Sequence, residues 1–231
     1  MPSPLVAMPG TGSDADYVLR AFGPAAAATG RQLLALDPGD DLVAGYERAL
    51  DAAADEYGPI VAGGVSIGAS IATRWAARVG PRRCAGVWAA LPPWTGSPTG
   101  SPAAASAVAT ADALERDGLP RTVAAMAAGS PAWLADELTR SWTALYPGLI
   151  GQLRSAAALV GPGPAELGAL AVPLVVVVGD GDPIHPAAVG EAWASSAPRS
   201  ALRRTELAVW GNSPAVLGDL AAQAWAELGG S

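Results

Sequence analysis

Gly64-Val65-Ser66-Ile67-Gly68 is the stretch of this chain whose residue types and spacing most directly imply chemistry. It closes an apolar run and opens an amphipathic one, so Ser66 falls on a turn from strand to helix. Glycines on both sides permit a bend sharp enough to hold a serine above a sheet in strained geometry. The helix amino terminus behind it favours developing negative charge. Small Ala69 and Ala72 on the following helix allow close packing on the sheet. The bland alternative is a tight turn that happens to contain a serine.

Three other stretches carry polar or glycine-rich signals at the ends of apolar runs. "MPGTGSD" (8–14) places Gly10 and Gly12 around Thr11, and glycines there let backbone N–H groups converge on an anion, although an ordinary turn has the same composition. "GDGDPIHP" (179–186) holds Asp180, Asp182 and His185, the only histidine. "VWGNSPAV" (209–216) places Asn212 before a Ser-Pro pair that starts a helix.

Elements that would position these residues follow from hydrophobic patterning. Apolar runs predict strands at 4–8, 32–37, 59–65, 84–91, 173–179 and 202–209, and helical patterns lie near 14–28, 41–57, 67–79, 187–196 and 214–228. Short apolar strands alternating with helices are the signature of a parallel sheet covered on both faces. The expectation is an α/β fold with a mostly parallel six-stranded sheet. From "PPWTGSPTGSPAAAS" (92–106) to about 171 only helical segments and Pro/Gly breaks occur. A plain crossover does not need that length, so a helical cap is expected at 92–171, inserted into a core of 1–91 and 172–231.

With Ser66 in this context the chain resembles the α/β-hydrolase superfamily over nearly its whole length, beginning at the strand usually called third. The resemblance implies an oxyanion hole from the amides of Thr11 and Ile67, with Gly10 in the same loop. It selects Asp182 over Asp180 as the acid, which would hold a histidine in the correct tautomer; Asp182 as a mere turn residue before Pro186 is the alternative. It also implies a histidine after the last strand, and there this sequence has Asn212.

An amide has no titratable nitrogen near neutral pH, so Asn212 cannot take the proton of Ser66, and ordinary esterase chemistry through that position would be crippled. Three accounts remain open. His185, three residues from Asp182, serves as a displaced base, or else it only lines the pocket. Alternatively the protein is non-hydrolytic and binds a ligand, or isomerises, cyclises or dehydrates a biosynthetic intermediate by orientation and hydrogen bonding. In the third account Asn212 is a replacement introduced to trap substrate or product. The expected activity is that of a serine hydrolase with an impaired or altered base.

Composition narrows the substrate and excludes other classes. The 231 residues give a formal charge of −7, and all 14 basic residues are arginine. This pattern suggests a GC-rich bacterial genome and offers no electrostatic footprint for nucleic acid. No arginine cluster near Ser66 points to a phosphorylated or coenzyme A substrate. A small, largely apolar ester, thioester or lactone fits better. Of eight tryptophans, Trp94, Trp133 and Trp142 fall in the expected cap and Trp210 adjoins Asn212, so they are candidates to wall an apolar pocket. Cys84, the single cysteine, lies in an apolar run and reads as a core residue. No metal-ligand spacing or cofactor motif is present, and neither a signal peptide nor a membrane span is legible, so a cytoplasmic enzyme with a small-molecule substrate is expected.

Overall fold

The sheet is built by six strands in the order β2-β1-β3-β4-β5-β6, with all five pairings parallel. The computed structural model describes residues 2–230. The strands are β1 (Leu5–Met8), β2 (Leu33–Ala35), β3 (Ile60–Val65), β4 (Cys84–Ala90), β5 (Leu174–Asp180) and β6 (Ser200–Glu206). Parallel strands are buried on both faces, which is why β1, β3 and most of β5 read as continuous apolar runs and are fully buried. The edge strands β2 and β6 are only partly buried.

Helices cover both faces. On one, α1 (Ala15–Ala28) packs on α10 (Ala215–Glu227), and their apolar sides join Trp88, Val175 and Val177 from the sheet. On the other, α2 (Leu42–Tyr57), α3 (Ile67–Val79) and α8 (Ala187–Ser196) cover Val6, Ala62 and Val176. Asp14 caps α1, its carboxylate accepting from the Tyr17 amide. Observed bounds differ from the expected ones by a residue or two, apart from β2, which is shorter, and the last strand. β6 ends at Glu206, and residues 207–212 turn into a short helix, α9 (Leu207–Asn212).

Between β4 and β5 lies the helical insertion: α4 (Pro102–Ala128), broken at Gly118 by φ 76°, then α5 (Ala132–Leu145), α6 (Leu149–Ala158) and α7 (Pro164–Gly168). Helices α4 to α6 share their own apolar centre, including Ala107, Ala111, Leu114, Trp142 and Leu153. Leu167 of α7 instead joins the main core, packing beside α3 and α8. The chain runs from β1 outward to β2 and returns to the other side of β1 as β3. The carboxyl ends of β1 and β3 therefore flank the point where strand order reverses, the crevice at which open α/β sheets bind ligands.

Candidate active site

Ser66 sits at that reversal, at the end of β3, with φ 55° and ψ −114°. A non-glycine residue at positive φ is strained and persists only where its surroundings dictate it. Here the constraint is close packing around the bend. A Cβ on Gly64 would come within 2.6 Å of the Met8 carbonyl oxygen, and one on Gly68 within 2.5 Å of the same atom. Ala69 and Ala72 are fully buried behind the turn. The Ser66 amide donates to the Ala90 carbonyl at 2.9 Å, tying the bend to the end of β4.

The neighbouring loop after β1 meets the serine directly. A Cβ built on Gly10 would lie 3.5 Å from Ser66 Cβ, ordinary van der Waals distance, so a side chain at this position would fill the space beside the serine. Gly12 adopts φ 79°, which turns the loop back into α1, and Thr11 lines the same cavity as Ser66. Ile67 buries its side chain in the core, and its amide, at the first position of α3, has no acceptor within the helix.

The loop after β5 supplies the titratable groups. Gly181, at φ 77°, bends the chain beyond Asp180, and the Asp182 Oδ1 then accepts from the amides of Ile184 (2.8 Å) and His185 (3.1 Å). The other oxygen, Oδ2, lies 2.8 Å from His185 Nδ1, and His185 Nε2 lies 2.9 Å from Ser66 Oγ. Burial by itself raises the Asp182 carboxyl, but hydrogen bonds from His185 and the two amides, with the attraction of the imidazole, hold it below its ordinary value. An ionised carboxylate only accepts, which assigns the proton to His185 Nδ1 and leaves Nε2 as an acceptor for the serine hydroxyl. Asp180 takes no part in this chain: both its oxygens bind Arg204 on β6, at 2.6 and 3.2 Å.

Asn212 is not brought to Ser66. It ends α9, is exposed, and its amide nitrogen donates to the Ala208 carbonyl at 2.7 Å. Where the sequence suggested the end of the last strand and the residues that follow it, 207–212 form a helical turn packed by tryptophans. Trp210 meets Trp133 of α5 edge to face, with centroids 5.4 Å apart, and a Cβ on Gly211 would collide with the Trp133 ring at 2.4 Å.

A cavity of about 730 Å³ opens above Ser66, His185 and Asp182, walled by the loop after β1 and by the insertion. Gly10, Thr11, Trp94, Trp133, Trp142 and Trp210 all line it, whereas Trp75, Trp88, Trp193 and Trp225 are buried in the core. Tyr17, Ser13, Glu137 and the alanines of α4 and α6 line it as well; sequence reasoning had not singled them out. Tyr17 and Ser13 were both within reach, since Ser13 belongs to the glycine-rich stretch itself and Tyr17 lies in the first turn of the legible helix that follows it. Glu137 was not, because its place depends on how α5 lies over α1.

Glu137 is held by Arg20 and, at 2.7 Å, by Arg140, whose guanidinium also grips the Asp14 carboxylate through two bonds of 2.7 and 2.9 Å. No arginine lines the cavity among the described residues, and burial raises the Tyr17 hydroxyl so that it stays neutral. Cys84 is buried, its thiol pushed up to about 12 by burial. Among the described residues no group of three His, Cys, Asp or Glu side chains is arranged to hold a metal, and no helix is long and apolar enough to cross a membrane.

A parallel six-stranded sheet between two helical layers, with a serine on the bend after β3 and a helical insertion after β4, defines the α/β-hydrolase fold. Solved structures share it at low identity. A carboxylesterase of the thaumarchaeon Nitrososphaera gargenis superposes with a TM-score of 0.77 at 16% identity, covering 99% of this chain and 91% of that one. A thermophilic esterase from Thermogutta terrifontis gives 0.71 at 20% identity, with 99% and 91% covered. The enol-lactonase from Burkholderia xenovorans LB400 gives 0.68 at 15% identity, with 89% and 84% covered. No protein-family model matches the sequence, and no curated protein matches it.

Proposed function

We propose that this protein is a serine hydrolase of neutral, largely apolar esters, thioesters or lactones, with Ser66 as nucleophile, His185 as base and Asp182 as the acid that orients it. The observation that carries this reading is the unbroken relay from Ser66 Oγ through His185, 2.9 Å on one side and 2.8 Å on the other. Asn212 then has no catalytic role, and the base is intact rather than impaired. The esterase and lactonase activities of structural neighbours support the same class.

In the proposed reaction Ser66 Oγ attacks the carbonyl carbon while its proton passes to His185 Nε2. The amides of Thr11 and Ile67 stabilise the resulting oxyanion at the amino end of α3. Collapse of the tetrahedral species breaks the bond to the alcohol, thiol or ring oxygen, which takes the proton from Nε2. Water then attacks the acyl-enzyme, gives its proton to Nε2, and Ser66 recovers it as the acid product leaves. Asp182 stays ionised and stabilises the imidazolium formed at each step.

Labelling with a serine-directed fluorophosphonate tests the assignment. Wild type and Asn212→Ala are expected to label, and Ser66→Ala and His185→Ala are not. Equal labelling of His185→Ala would overturn the base assignment, and an unlabelled wild type would favour the non-hydrolytic alternative.

A further inference from the structure

Three consecutive residues of α5 hold the turn between β1 and α1. The Ser141 hydroxyl donates to the Gly12 carbonyl at 2.7 Å, and Ser141 is fully buried. The Trp142 indole lies so close to Gly12 that a Cβ there would come within 2.7 Å of its nitrogen. Arg140 binds both oxygens of Asp14, at 2.7 and 2.9 Å, where the turn enters α1. Within the turn the Ser13 amide donates to the Gly10 carbonyl at 3.1 Å, and Thr11 lies between the two glycines.

We infer that α5 acts through Ser141, with Arg140 in support, to keep the Thr11 amide aimed at the oxyanion, so that Ser141 is a positioning residue. This rests on the serine-hydrolase reading, in which the amides of Thr11 and Ile67 share that charge. The two donors differ in their support. Ile67 is the first residue of α3, and the helix behind it directs its amide. Thr11 belongs to no such element. Gly10 and Gly12 leave the peptides on either side of it free to rotate, and Gly12 stands at φ 79°. The buried bond from Ser141 selects one orientation of the Gly12 peptide and with it the direction of the turn. Without that hydroxyl the Gly12 carbonyl loses a buried donor, and it regains one by rotating toward water in the cavity, which carries the loop with it. The insertion, besides covering the serine, then sets the geometry of half of the proposed anion site.

Steady-state kinetics on p-nitrophenyl acetate with Ser141→Ala and Ser141→Cys test this. Cysteine keeps the shape of the buried side chain but is only a weak donor, so it separates the hydrogen bond from the packing. Both variants are expected to lower kcat by about tenfold to 100-fold, the scale of a group misplaced by about 1 Å, and to leave KM within about twofold. An alkyl trifluoromethyl ketone, whose adduct with Ser66 carries the oxyanion, should lose affinity by the same factor. Unchanged kcat, or a raised KM with kcat kept, overturns the proposal. Arg140 is partly exposed, so Arg140→Gln loosens the same grip without touching the core. It should lower kcat with KM kept, and an unchanged kcat there overturns the proposal if the Ser141 variants do not fold.

Amide hydrogen exchange over residues 9–14 of the resting protein needs no turnover and separates the two readings. Faster exchange confined to that segment in Ser141→Ala supports the grip of α5 on the loop even where wild type hydrolyses nothing, a result that defeats only the hydrolase reading. Unchanged exchange overturns it even in an active esterase.

Discussion

Asp182 and His185 stand three residues apart in one turn, carboxylate Oδ2 to imidazole Nδ1 at 2.8 Å, so the proposed base and the proposed orienting acid travel on the same loop. The Asp182 carboxylate also binds the His185 backbone amide. One side chain thus fixes both the backbone and the ring of its partner, and the geometry relative to Ser66 depends on a single turn between β5 and α8.

Replacing His185 with Ala is expected to lower kcat on p-nitrophenyl acetate by about 10⁴-fold or more, with the melting temperature little changed, because the ring sits at the cavity rim rather than in the core. Asn212→Ala is expected to leave kcat within about twofold, since surface changes away from the reacting groups have small effects. Adding Asn212→His to His185→Ala should restore nothing, its side chain being directed along α9. Recovery of activity in that double variant would contradict the placement of the base.

Asp182→Asn is expected to cost about 10⁴-fold in kcat, since an amide would favour the wrong imidazole tautomer. It should also change the acid limb of stability. The native carboxyl titrates below the ordinary carboxylate value of about 3.9, so the stabilisation is present above that pH and is lost as pH falls through the lowered native value. Asp14, lowered by the hydrogen bonds from Arg140, acts in the same window and direction. Melting temperatures from pH 7 down to about pH 3 should fall less steeply in Asp182→Asn and Asp14→Asn than in wild type.

Gly64→Ala is expected to destabilise the fold by about 1–3 kcal/mol, the usual cost of overpacking, and to abolish labelling of Ser66. The added methyl group would lie 2.6 Å from the Met8 carbonyl oxygen, and the strand ends must part to admit it. Denaturant unfolding alongside fluorophosphonate labelling measures both effects. A stable, fully labelled variant would show that the bend does not need this contact.

A double-mutant cycle on Trp133→Leu and Trp210→Leu is expected to give a coupling of about 0.5–1.5 kcal/mol, the value of an edge-to-face aromatic pair beyond its buried area. These indoles join α5 of the insertion to α9 of the core. Additive effects would mean that the two helices are held by other contacts.

Much of the frame was legible in the chain. The runs at 5–8, 60–65, 84–90 and 174–180 are apolar because parallel strands lose water on both faces, and the periodicity of α1, α3 and α8 marks helices that cover them. The last strand was misread by three residues: "LAV" has the composition of a strand end, yet Leu207–Asn212 is helical because Trp210 packs against Trp133 on α5, a residue far away in sequence. Trp94 and Trp210 face the cavity with one side of the indole while the rest packs into the cores on the two faces of the sheet, a double role that no local pattern specifies.

By itself the sequence determined the six-stranded α/β frame, the strained bend at Ser66 and the nearness of His185 to Asp182, since each follows from periodicity, glycine placement or a separation of three residues. Only the tertiary structure decided which side chain meets the serine. Ser66 and His185 come from β3 and from the loop after β5, 119 positions apart, and their 2.9 Å contact exists because strand order places those two carboxyl ends on one edge. The same packing turned Asn212 away, its direction being set by an indole pair that no local pattern specifies.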